Sequence, residues 1–186
     1  MSLQTDMYAK LDDVRGELSK FLRDEKECVL IWANPHRPTP PKPYGVFKMT
    51  ARIVNYRDPI DTSSYPNKFQ HRQVEQTVSL TFWGRNADML GEAHGIAEHA
   101  RRWLNLWGEP ILKRNNMVVH EIGQVSDRTT FLVDSYDYKV GFDVTFRTME
   151  TDVYRKLYQG SETDANHDII ETVIVNDHTI NKEDKT

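Results

Sequence analysis

The sequence predicts an α+β fold, a mainly antiparallel sheet with a long β-hairpin flanked by two α-helices and followed by a C-terminal extension. Three observations carry this. Val74, Val78, Leu80 and Phe82 alternate with Glu75, Thr77, Ser79 and Thr81, the period of two of a half-buried strand, with Gln76 the one polar intruder. Leu90, Ala93, Ala97, Ala100, Leu104 and Trp107 recur at three and four residues, one apolar stripe on a helix. Strand-like runs on either side of this pair supply its partners.

In order, Met7, Leu11, Val14, Leu18, Phe21 and Leu22 share one helical face, which predicts a first amphipathic helix over about Asp6 to Arg23. The continuous apolar run Cys28 to Ala33 suits a short strand buried on both faces. Asn34 to Tyr44 holds five prolines, which remove backbone donors and fix φ. It reads as a stiff connector leading into the next strand, with a partner-binding motif at Pro38 and Pro41 as the sharper alternative. From Val46 to Tyr56 the chain alternates again. Arg57 to Lys68 is rich in turn residues, so this strand and the central one form a long hairpin with its tip near Ser63. Counted from Phe69, the central strand far exceeds the usual five or six residues or so. The polar stretch Phe69 to Gln73 is expected to project from the globule.

Gly84 ends that strand, Asn86 is a candidate N-cap for the second helix, and Gly108 and Pro110 stop the helix. Met117 to Val125 and Tyr138 to Thr148 are predicted strands, with Thr129 to Val133 a short edge strand between them. The domain boundary falls at 148. The extension, 149–186, is expected to contain a helical turn at Asp152 to Tyr158, a polar linker at Gly160 to Asn166 and a strand at Ile169 to Val175, and to pack on a partner chain.

Net charge is −4, with nine acids against four bases from Glu150 onward, a local −5 that leaves +1 for the first 149 residues. Such a balance gives no support for general nucleic-acid binding. The lone Cys28 excludes an internal disulfide and, within its apolar run, reads as a buried thiol. No apolar run approaches the roughly twenty residues needed to span a bilayer, so the chain is expected to stay in the cytoplasm unless released by lysis.

No HExxH, CxxC, GxSxG or phosphate-loop pattern is present, and neither catalytic, cofactor nor metal residues are assigned. His94 and His99 lie five apart on the second helix, roughly 140° around it, too far to chelate together. Glu98 shares a face with His94 and reads as its solvated partner. His120 reads as a packed or edge residue in a strand, and Asp127 and Asp134 do not make a dyad. Gly91 and Gly95 fall opposite the apolar stripe, where each costs about 1 kcal/mol relative to alanine. Either the cost is tolerated or a neighbouring subunit approaches the bare helix. With Glu98 and Arg102 they make the candidate subunit interface.

An N-terminal helix, a proline-rich lead ending in Pro43-Tyr44, a strand and long loop, a strand closing at Trp83-Gly84, an alanine-rich helix and a terminal hairpin together resemble the tail terminator or neck proteins of tailed bacteriophages. The resemblance covers about Met7 to Thr148, carried by order and spacing. Where relatives often have an arginine entering the last strand, this chain has Lys139. The resemblance implies a non-enzymatic virion component without cofactors, a homo-oligomeric ring, typically six-fold, that caps the tail tube, ends its polymerisation and docks to the head or neck. Its implied partners are other copies of itself, the tail tube protein and a neck, head-completion or connector protein, with no membrane involved. On the hairpin arm, Arg57, Ser63, Lys68 and Arg72 are the candidate tube or lumen contacts, past which DNA moves without sequence-specific binding. Another head–tail joining or tail-completion protein of the same particle is the alternative.

Overall fold

A computed structural model describes residues 3–33, 36, 38–55, 67–85, 90–133, 136–155, 172–175 and 178–181, with side chains over 7–33, 36, 38–54, 72–85, 90–133 and 136–150. The backbone divides into two units, 1–154 and 155–186.

Helix α1 spans Leu3–Lys26, longer than the predicted range at both ends, and buries Met7, Leu11, Val14, Leu18 and Leu22. Strand β1, Val29–Trp32, runs parallel to β2, Tyr44–Asn55. Only Leu30 of β1 is buried, so the expectation of a strand covered on both faces gives way to an edge strand. The edge itself is closed by α1. Arg15 donates to the Leu30 carbonyl at 2.8 Å, and the Leu30 N–H donates to Ser19 Oγ at 3.0 Å.

β2 pairs antiparallel with β3, Asn67–Trp83, from Tyr44↔Trp83 to Asn55↔Gln73, with an irregularity between Met49 and Ala51. This is the predicted long hairpin; its tip lies outside the described residues. The sheet order is β1-β2-β3-β8-β4, where β4 is Met117–Ile122 and β8 is Val140–Arg155, with β5, Ser126–Asp127, also pairing β8. β4 runs antiparallel to β8, from Met117↔Thr148 to Ile122↔Val144. Two-residue strands β6, Thr130–Phe131, and β7, Tyr136–Asp137, form a separate small hairpin where a lone edge strand is predicted. β8 continues to Arg155 through Asp152, so strand replaces the first part of the predicted helical turn. In the second unit β9, Thr172–Val175, pairs antiparallel with β10, His178–Asn181. The predicted linker Gly160 to Asn166 lies outside the described residues.

Helix α2, described from Leu90 to Arg102, buries Ala93, Ile96, Ala97 and Ala100; Asn86 lies outside the described residues. It passes into a π-helical turn, Trp103–Trp107, closed by the Gly108 N–H donating to the Trp103 carbonyl at 2.7 Å. Trp103 and Leu104, three and four residues past Ala100, stay on the buried stripe, and the wider π-helical turn carries Trp107, predicted on that stripe, round to 54% exposure. Gly108 is required there, since a Cβ would lie 2.7 Å from the Trp103 ring. Pro110 then opens a third helix, α3, Glu109–Arg114, that the sequence reading misses because it treats Pro110 only as a stop.

Core residues Leu11, Leu18, Phe47, Leu80, Phe82, Ile96, Phe142 and Phe146 belong to one cluster, built from α1, α2 and one face of the sheet. Gln76 shares that face, and among the described residues its side-chain oxygen has no partner. Cys28 is fully buried, which pushes its thiol up to about 12. A thiol reagent at pH 8 is therefore expected to leave the folded protein unmodified and to label one thiol per chain in urea. Fast labelling of the native form would contradict the burial.

Four carboxyls lie below the ordinary aspartate value. The Trp32 indole N–H holds Asp12 down, Arg114 and then Asn115 hold Asp13, and the Thr129 N–H, donating to Asp127 at 2.8 Å, holds Asp127. At Asp143 burial is the largest influence and acts upward, but bonds from Arg128 and Ser79 outweigh it. Because the folded values are depressed, the stability they confer is present above the unfolded value of about 4 and is lost as pH falls through the folded ones. The urea midpoint is expected to stay level from pH 7 to about 5 and to drop below about pH 4. A midpoint already falling between pH 7 and 5 would place the titrating groups elsewhere.

Candidate functional site

At the base of the β2–β3 hairpin the chain brings together residues far apart in sequence. Tyr44 and Trp83 are direct strand partners, and their rings stack at 4.7 Å and 13°. The Trp83 indole N–H donates to Asp137 Oδ1 at 2.8 Å, and Lys139 Nζ, 5.8 Å from the Trp83 ring centre, bonds Asp137 Oδ2 at 3.1 Å and Thr130 Oγ1 at 3.0 Å. Burial, and next the Asp137 charge, raise the Tyr44 hydroxyl above its ordinary value. These contacts tie the β6–β7 hairpin to the sheet. A second tie comes from Arg128, whose N–H bonds the Lys139 carbonyl at 2.8 Å and whose guanidinium reaches Ser79 at 2.5 Å, Thr81 at 3.2 Å and Asp143 at 2.9 Å.

Held this way, the hairpin presents apolar side chains to solvent. Phe131 is 67% exposed and Val133 90%, beside exposed Leu132 and Tyr136, with the Phe131 and Tyr136 rings 5.0 Å apart. The sequence reading misses this surface. Its signal is the run Phe131-Leu132-Val133 followed by Tyr136 and Tyr138, more apolar than a turn needs.

On the other side of β8 the edge strand β4 has no described strand along its outer edge. Beside it, between the π-helical turn with α3 and β4, is a groove of about 380 Å³ lined by Leu104, Leu112, Met117, Val118, Val119 and Ile122 and by polar groups including Glu109, Lys113 and His120. Glu109 and Lys113 neutralise each other at 2.7 Å. His120, read from the sequence as a packed or edge residue, is on this edge strand and its Nε2 accepts from Arg147 at 2.8 Å, while Arg147 also pairs with Glu75 at 2.8 Å.

The sequence-predicted residues are spread over two places. Gly91 and Gly95 lie on the outward side of α2, where an added Cβ meets nothing within 4 Å. Glu98 pairs with Arg101 at 3.8 Å, Arg102 is exposed, and the His99 ring bonds the Gly95 carbonyl at 3.1 Å. Arg57 and Ser63 lie outside the described residues, and Lys68 is in β3 with its side chain outside them. Arg72, expected on a projecting arm, instead meets buried Glu150 at 2.9 Å, and Arg52 meets the same carboxylate at 3.0 Å. β8, longer than predicted, carries Glu150 alongside. Among the described residues no three His, Cys, Asp or Glu side chains converge as a metal site, and no helix is long and apolar enough to cross a membrane.

A family model described as phage neck terminator protein matches residues 12–183. The chain belongs to this family. No curated protein matches it. Membership gives the neck terminator chain a structural role at the junction of phage head and tail, a place in the tail or neck of the virion, and contacts with other head or tail proteins. The match also takes in the segment after Thr148, which the sequence reading sets outside the resemblance. The two dipeptides that help carry the resemblance, Pro43-Tyr44 and Trp83-Gly84, meet in the Tyr44–Trp83 stack.

Proposed function

We propose that this neck terminator protein has no enzymatic activity and assembles in the host cytoplasm into a six-fold ring that caps the completed tail tube, ends its polymerisation and joins the tail to the head or neck. The observation that carries this reading is the asymmetry of the sheet: α1 closes one edge, and among the described residues no strand lies along the β4 edge. A chain with two unlike sides suits head-to-tail contacts, which close into a ring when the rotation permits. In this reading the bare face at Gly91, Gly95, Glu98 and Arg102 takes the next copy. Arg57, Ser63 and Lys68 lie on the arm toward the tube or lumen, with Arg72 fastening the base of that arm, and DNA passes without being gripped. The part of the extension beyond β8 packs on a neighbouring chain.

Light scattering and negative-stain electron microscopy at rising concentration, with and without tail tubes, test this. Rings of about six 21.7 kDa chains are expected. The pair G91L and G95L is expected to prevent assembly while leaving a folded monomer, and deletion of residues 63–67 to leave rings that fail to cap tubes. A chain that stays monomeric even on tube ends would favour another head–tail joining or tail-completion role, located by labelling in virions.

A further inference from the structure

We infer that His120 is a proton-operated clasp on β4, closed while its imidazole is neutral and released when the ring is charged. The geometry begins with the strand register. Val119 faces Phe146 and Glu121 faces Thr145, so His120 is the extra residue of a bulge and has no ladder partner on β8. A bulge re-aims the side chain it carries. Here the imidazole meets Arg147 of β8 and lies within 3.8 Å of Glu75 of β3. The three side chains therefore tie together three neighbouring strands, β3, β8 and β4.

An arginine N–H only donates, so the 2.8 Å contact from Arg147 Nη2 requires a lone pair on His120 Nε2 and places the ring proton on Nδ1. Protonation removes that lone pair and sets a second positive charge against the guanidinium. The carboxylate of Glu75 is the alternative partner, but its Oε1 already receives Nη2 and Nε of Arg147 at 2.8 and 3.1 Å. Two cations then compete for one oxygen, and the bond from β4 to β8 is given up. No other charge takes its place. Glu121 follows on the same strand and is exposed, while across the groove Glu109 and Lys113 neutralise each other at 2.7 Å. At 42% exposure the His120 side chain exchanges protons with water without unfolding. Val118, Val119 and Ile122 of the same strand line the groove beside α3, so the groove wall loosens with the clasp. Histidine is the side chain that changes charge between about pH 5 and 8. The switch of partner from Arg147 to Glu75 is local, and it is read in β4 and not in the midpoint of global unfolding.

The test is amide hydrogen exchange of the full chain at about pH 5 and about pH 7.5, corrected for intrinsic rates, beside an NMR titration of the His120 ring. Protection of the β4 amides bonded to β8 is expected to fall at least about fivefold at the lower pH, with its midpoint on the His120 titration. Amides of the buried β3 residues Val78 and Leu80 are expected to hold. In His120→Gln the amide oxygen accepts from Arg147 at either pH, so β4 protection is expected to stay level. His120→Ala has no acceptor and is expected to show the lower protection at both. Equal wild-type protection at the two pH values, a midpoint away from the His120 titration, or an undiminished fall in H120Q would overturn the clasp.

Discussion

Replacing Glu150 with alanine is expected to destabilise the fold by about 3–5 kcal/mol, lowering Tm by roughly 10 °C. Its side chain is 4% exposed and lies between the guanidinium groups of Arg72, 12% exposed, and Arg52, 32% exposed. Two bonds from each arginine reach the carboxylate, at 2.9–3.1 Å from Arg72 and 3.0 Å from Arg52. Removing the carboxylate leaves two like charges on the same face of the sheet, one of them largely desolvated. The reverse deletion is milder. Arg52 is a third exposed and water screens its contribution, so Arg52→Ala is expected to cost about 1 kcal/mol. Urea unfolding of both variants checks the contrast, and equal small losses would mean that water penetrates the triad. The triad adds side-chain ties from β2 and β3 to β8 near the end of the described hairpin pairing, so the variant is also expected to impair tail capping.

Gly141→Ala is expected to cost about 3 kcal/mol. A Cβ at this position would stand 2.2 Å from the Leu80 carbonyl oxygen and 3.1 Å from Arg128 Cδ and Nε. The first obstacle is backbone in the neighbouring strand, so no side-chain rotation relieves it, and β3 and β8 must separate at the centre of the sheet. The arginine that crosses the bare glycine, and with it the hairpin it secures, shifts as well. Gly91→Ala provides the comparison. Its Cβ meets open space on a helix, so the same change there is expected to stabilise by about 1 kcal/mol through helix propensity. Thermal unfolding of the two variants should move in opposite directions. Movement of both in one direction would contradict the assigned close approach at Gly141.

Much of the architecture was legible. The stripe Met7-Leu11-Val14-Leu18-Leu22 and the alternation Val78-Leu80-Phe82 are buried as their spacing requires, because a local period states which face of an element must leave water. The long β2–β3 pairing was legible for the same reason. At Trp107 the reading failed, since a π-helical turn changes the period from within, and the regular spacing of apolar residues before it gives no sign of the change. Gly91 and Gly95 were correctly placed on an outward face. The apolar tip at Phe131 and Val133 was not anticipated, because a three-residue apolar run has the same local appearance whether a core covers it or water does.

By itself the sequence determined the amphipathic elements, the α+β class, the hairpin and, through order and spacing, the resemblance to phage neck proteins. Tertiary structure alone decided that β1 runs parallel at a closed edge, that β4 has no described strand along its outer edge, and that Arg72 pairs with Glu150. It also decided the site. Trp83 and Asp137 are 54 residues apart, Arg128 and Ser79 49, and Arg52 and Glu150 98. A periodic pattern records how each segment faces the core. Which distant segments become neighbours, and therefore which charges pair and which apolar tip stays exposed, depends on how the sheet is assembled.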